Sequence, residues 1–215
     1  MISSPLTPIA AAMAIVLAFS PATSGATHRC PTCKGDGGRL DTLVAYPAAS
    51  SIRWSGMTVA PFGASAGSVP IVRGELLLRH GELAGGSFVV DMSRLRIDDP
   101  DRTMLRRPFV AADAFEVKRY PTAAFVATGA TRTGDSTWSV NGNLTLHGVT
   151  RPVSFASGVH WAEVGHMIAT ADLTLDRREF GIASTGSLAD HIVDNAIQLT
   201  IRLDARRRGA VMAER

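Results

Sequence analysis

From residue 51 onward, apolar and polar side chains alternate with a period of two, the pattern of strands that bury one face. Residues 196–205 show it most plainly. Ile197, Leu199, Ile201 and Leu203 point one way, and Gln198, Thr200, Arg202 and Asp204 point the other. Residues 166–176 repeat the pattern, with Met167, Ala169, Ala171, Leu173 and Leu175 against Thr170, Asp172, Thr174 and Asp176. A third apolar row runs through Trp138, Val140, Gly142, Leu144 and Leu146. Further strands are expected over residues 51–59, 69–79, 87–92, 123–130 and 149–160, making about eight. Gly134-Asp135 and His147-Gly148 supply turns between them. Helix is expected to be scarce. Residues 103–117 read as irregular or short-helical because Pro108 interrupts them, and residues 186–195 suit one short helix started by Ser187. Strand after strand without amphipathic helices predicts an all-β domain, either a closed antiparallel barrel or a sandwich.

The first 26 residues follow a different rule. They carry no Lys, Arg, Asp or Glu, and residues 9–19 form one apolar run of about 11, the length of a signal-peptide core and short of the roughly 20 that span a bilayer. Ser24-Gly25-Ala26 places small residues where a signal peptidase needs them, so cleavage is expected after Ala26 and the mature protein in the periplasm or outside the cell. The leading residues lack the usual basic charge, which keeps an uncleaved apolar anchor as the alternative. Residues 27–50 read as a flexible lead, residues 51–205 as the folded domain, and residues 206–215 as a basic tail opening on Arg206-Arg207-Arg208.

Composition narrows the function classes. The 22 basic and 19 acidic residues nearly cancel, so no nucleic-acid partner is expected without a clustered basic face. Cys30 and Cys33 are the only cysteines. A closed zinc site needs four thiolate or imidazole ligands, so this pair reads as a local or intermolecular disulfide, with a weak intersubunit metal site as the alternative. His160 and His166 lack the spacing that aims two imidazoles from one strand or helix at one metal. Asp190-His191 and Asp194 have no identifiable nucleophile beside them, and no glycine-rich phosphate cradle follows a strand. No catalysis is therefore expected. A metal-dependent enzyme and a solid-core module acting through protein contacts or envelope stress are the competing readings.

Five strings then resemble the YceI-like family, lipocalin-like polyisoprenoid-binding proteins of bacterial periplasms, in that family's order. They are Trp54-Ser55-Gly56, the run from Gly85 to Met92, the run from Phe115 to Phe125 with Tyr120-Pro121 inside it, the run from Gly142 to Val153 around Leu144-Thr145-Leu146-His147-Gly148, and Asp176-Arg177 with Phe180 and Ile182. The resemblance covers residues 54–204. It departs where Pro108 and Phe109 stand in place of a His-Leu pair, where Ala114 replaces a Phe, and where Phe180 replaces the commoner Trp.

The resemblance implies an eight-stranded antiparallel lipocalin-like barrel with one or two short helices. It implies a hydrophobic small-molecule ligand, an isoprenoid or prenyl quinone, with no other cofactor required. A homodimer and transient membrane contact also come from the resemblance alone. Candidate cavity residues are Trp54, Phe88, Met92, Leu105, Phe109, Phe115, Phe125, Leu146, Phe155 and Phe180, each of which also suits plain core packing. Ala169, Ala171 and Gly142, small residues on inward rows, are expected to leave volume unfilled. Arg177 is expected to pair with Asp176 or, less simply, to meet a ligand head group.

Overall fold

The computed structural model describes residues 40–58, 64–98, 115–182 and 193–208. Their strands are β1 (Asp41–Ala45), β2 (Ser51–Thr58), β3 (Ala64–Val69), β4 (Ile71–Arg79), β5 (Glu82–Asp91), β6 (Arg96–Ile97), β7 (Thr122–Arg132), β8 (Thr137–Leu146), β9 (Val149–Glu163), β10 (His166–Asp176) and β11 (Val193–Arg207). Eight of them form a closed ring in the order β1, β4, β5, β7, β8, β9, β10, β11 and back to β1, with β2, β3 and β6 continuing from β11 in the same sheet. All pairings are antiparallel. The barrel alternative is therefore the correct one: each strand of the ring has two partners and the ring has no free edge.

The extra strands arise because three staves of the barrel are broken. β11 pairs with β2 between Val193 and Arg202 and with β1 at Ala205–Arg207, so β1 and β2 lie along β11 as one interrupted stave. Pro47 lacks the N–H a ladder needs, and Pro47–Ala49 forms a 3-10 turn between them. That break is stitched to β11: the Tyr46 N–H donates to the Asp204 carbonyl at 2.7 Å, and the Asp204 N–H to Ser50 Oγ at 3.0 Å. Pro70 divides β3 from β4 in the same way, and a 3-10 turn at Met92–Arg94 divides β5 from β6.

These breaks correct three expectations. Residues 41–45 are not part of a flexible lead but the strand that closes the ring, joining β4 to β11. Residues 69–79 are not one strand. Arg206 and Arg207 belong to β11, paired in register with Val44 and Leu43, and not to a solvated tail. Among the described residues the helical content is three 3-10 turns, the third at Arg177–Phe180, with no α-helix. Cys30 and Cys33 and most of residues 103–117 and 186–195 lie outside the described residues.

Connections alternate between the two ends of the barrel. One end carries the start of β1, the end of β11, the β4–β5 and β9–β10 hairpins and the β7–β8 connection; the other carries the β8–β9 hairpin, the turn before β7 and the 3-10 turn after β10. His147-Gly148, with φ of 53° and 74°, makes the two-residue turn expected between β8 and β9, and His80-Gly81 makes a second of the same kind. The first end is plugged by Leu43, Leu78, Met167 and Ala205, all at 2% exposure or less. At the other end Phe180 and Ile182 are buried with Met92, Leu146 and Leu175.

Candidate functional site: an apolar cavity inside the barrel

Because side chains alternate across each strand, half of every stave points into the barrel. The inward rows of β8, β10 and β11 are the rows read from the sequence: Val140 and Leu144, Ala169 through Leu175, and Ile197 through Leu203 all line a central cavity. Its volume is about 200 Å³, larger than an apolar void of ~150 Å³ that stays dry and takes up benzene. Among the described residues, Ser157 and Thr170 are the only hydroxyl-bearing ones on its wall, and none that lines it is charged. The Ser157 hydroxyl is already committed to the wall, donating to the Thr170 carbonyl at 3.1 Å. A guest in this space exchanges water for hydrocarbon on all sides, so an apolar chain is favoured and an ion is penalised.

Of the expected cavity residues, Trp54, Phe88, Met92, Phe115, Phe125, Leu146 and Phe155 are on the wall. Phe125 and Phe155 meet at 5.6 Å between ring centroids, tilted by 50°. Leu105 and Phe109 lie outside the described residues. Phe180 departs from the expectation. It is 0% exposed, in the packing beneath the 3-10 turn, and does not reach the cavity. The expectation for Gly142 also fails: the Phe125 ring already occupies the space a Cβ there would take, so the glycine leaves no void. Trp138 and the aliphatic rows of β10 and β11 line the cavity too. Their alternation is visible in the sequence, but alternation marks a buried face without saying whether that face packs solid or borders a cavity.

Three of the five strings that carried the family resemblance, those holding Glu116 and Tyr120, His147, and Phe180, meet at the end of the barrel that carries the β8–β9 hairpin, where they form a clip. His147, at the β8–β9 turn, has Nδ1 3.1 Å from the Phe180 carbonyl and Nε2 2.8 Å from Glu116 Oε2. Tyr120 packs on the His147 ring at 4.4 Å between centroids. Arg119 sits 5.1 Å over the Tyr120 ring. Gly148 is required twice over. Its φ is 74°, and a Cβ would come within 2.6 Å of Tyr120 Cε1. One histidine thus ties together three connections that are far apart in sequence.

Among the described residues, ionic groups stay off the cavity wall. Asp176 pairs with Arg178, not with Arg177: the Arg178 guanidinium at 2.7 Å, followed by its backbone N–H, brings the Asp176 carboxyl down to about 2. Arg177 is buried and donates to the Ile182 carbonyl at 3.2 Å, bracing the turn. Asp204, expected on the solvent face, is only 5% exposed because the broken stave folds over it. Burial opposes its ionisation, but hydrogen bonds from His166 at 2.9 Å and Arg206 at 3.1 Å outweigh that cost and hold the carboxyl below the ordinary range. Among the described residues, no three His, Cys, Asp or Glu side chains cluster as a metal site would require. Asp190 and His191 lie outside the described residues.

Solved structures share this architecture. BcnA of Burkholderia cenocepacia superposes with a TM-score of 0.56 at 18% identity, covering 74% of this chain and 98% of that one. A polyisoprenoid binding domain from Saccharophagus degradans, implicated in plant cell wall breakdown, superposes with a TM-score of 0.57 at 11% identity, covering 79% of this chain and 100% of that one. At these identities the likeness establishes the fold. In sequence, a UPF0312 protein of Pseudomonas putida is 42% identical over 84 residues, 36% of this chain. A UPF0312 protein of Azotobacter vinelandii is 47% identical over 47 residues, 22% of this chain. The chain spans 43% and 24% of the lengths of these two curated relatives. The model of the YceI-like domain matches residues 44–205, most of the chain, and by that match the chain belongs to the YceI-like family.

Proposed function

We propose that the protein is an exported carrier that holds an isoprenoid or a similar amphiphilic lipid inside its barrel and makes or breaks no bond in it. The observation that carries this reading is the cavity of about 200 Å³ whose wall, among the described residues, is uncharged. The fold shared with a polyisoprenoid binding domain supports it. Affinity comes from area, not from one anchoring contact. Burying about 400 Å² of hydrocarbon supplies about 10 kcal/mol before the cost of immobilising the chain. A prenyl quinone, with a long methyl-branched tail, suits such a wall, and no further cofactor is needed. The signal over residues 1–26 delivers the protein to the periplasm or beyond. There, loading requires transient contact with a membrane, and two copies pair as a homodimer.

Lipid extraction and native mass spectrometry of the protein purified from its own envelope test the carrier role. The expected result is one isoprenoid-type lipid per chain. A ligand-free protein that also refuses added long-chain isoprenoids would defeat the carrier reading. N-terminal sequencing checks export separately: a mature chain beginning at Thr27 is expected, and a retained Met1 excludes cleavage.

A further inference from the structure

Three aromatic rings on the cavity wall are seated on glycines of a neighbouring strand. Phe88 faces Gly74 directly across the β4–β5 ladder, and Trp54 faces Gly67 across β2–β3. Phe125 reaches diagonally to Gly142 on β8, which is in register with Ala127. A Cβ at Gly74 would lie 2.6 Å from Phe88 Cε1 and nearer still to Cδ1. At Gly67 it would lie 2.7 Å from Trp54 Nε1 and 2.8 Å from Cε2. These separations are far inside the ~3.5 Å at which carbon atoms rest against one another. Each ring therefore occupies the space that a side chain on the facing strand would fill.

Gly74 isolates the effect. At Gly67 and Gly142 a backbone carbonyl also stands in the way of a Cβ, that of Arg96 and that of Val126. At Gly74 the obstacles are the Phe88 ring and, at 3.0 Å, the Cβ of Ala45. Phe88 lines the cavity, so a ring displaced from Gly74 has the lumen as its open side.

We propose that Gly74 is a specificity-determining residue: by carrying no Cβ it lets Phe88 lie against β4, and so sets a bore wide enough for a methyl-branched chain. The proposal rests on the carrier reading above. A single methyl at residue 74 tips the ring inward and narrows the bore without changing the chemistry of the wall. One methyl group in an apolar pocket changes binding by roughly 10-fold or more.

The test compares delipidated wild type, Gly74→Ala and the double variant Gly74→Ala/Phe88→Leu for binding of geranylgeraniol, with thermal unfolding recorded alongside. The wild type is expected to bind. Gly74→Ala is expected to stay folded and bind about 10-fold more weakly or worse, and the smaller leucine side chain that replaces Phe88 in the double variant to restore most of the affinity. Unchanged binding in Gly74→Ala, or a loss that Phe88→Leu does not repair, overturns the proposal. Should Gly74→Ala fail to fold, the double variant is expected to fold and bind, and its failure to fold would assign the requirement to the backbone and overturn the proposal equally. A wild type that takes up no geranylgeraniol removes the carrier reading itself, an outcome distinct from any difference between variants.

Discussion

The plugged end of the barrel and its lumen are built from the same apolar residue types, yet one is solid and the other hollow. At the plugged end Leu43, Leu78, Met167 and Ala205 interleave until almost no surface is left. In the lumen the aromatic rings at residues 54, 88 and 125 rest on glycines of the adjacent strand, while Ala169 and Ala171 leave the β10 wall low. Hydrophobicity alone does not decide whether a barrel is filled. The pairing of large with small across neighbouring strands decides it, because a ring that finds a glycine beside it need not cross the bore.

That contrast can be broken at the plug first. Leu78→Ala is expected to cost about 3 kcal/mol, since a packed site collapses only partly around the lost methyls. Urea denaturation checks this, and a loss below about 1 kcal/mol would mean the plug is not packed. Asp204→Asn, at the stitched break beside the plug, is expected to cost about 2 kcal/mol at neutral pH by removing the charge that His166 and Arg206 address. The sign with pH follows from the lowered folded-state value. The Asp204 contribution is fully present above the ordinary carboxyl range near 3.8 and is lost as pH falls through the lower folded value. The gap between wild type and Asp204→Asn in thermal unfolding should therefore close on acidification, and a gap that widens would contradict the assignment.

The smallest stability effect is expected in the lumen. Ala171→Leu puts added carbon into the bore, and where a filled core would lose about 1–3 kcal/mol to overpacking, this wall should lose less than about 1. Lipid uptake should nevertheless fall by at least about 10-fold. A folded variant with full uptake would show that the lumen is not the binding site.

Much of the barrel was legible because a strand writes its buried face in every second residue. The rows of β8, β10 and β11 are long, and their inward members are the cavity wall. What escaped was short or broken. β1 has five residues without a clear alternation, and its role in closing the ring depends on partners far along the chain, on β4 and on β11. β3, Ala64–Val69, consists largely of small residues, and Pro70 inside an apolar run marked a corner that period-two reading smooths over. Gly142 shows the limit most plainly. The sequence records that a side chain is missing there, but not that Phe125 arrives from the neighbouring strand to take its place. Phe180 fails for a related reason, since the αL Gly181 after the 3-10 turn and the His147 contact to its carbonyl direct it into the end packing.

A hollow barrel with this wall is expected to take up an apolar chain. Calorimetric titration of the delipidated wild type with a long-chain isoprenoid tests it most directly. Saturable one-to-one binding is expected, with a negative heat-capacity change, the mark of apolar surface leaving water. Absence of binding at saturating ligand, from a protein shown to be folded and lipid-free, would contradict it.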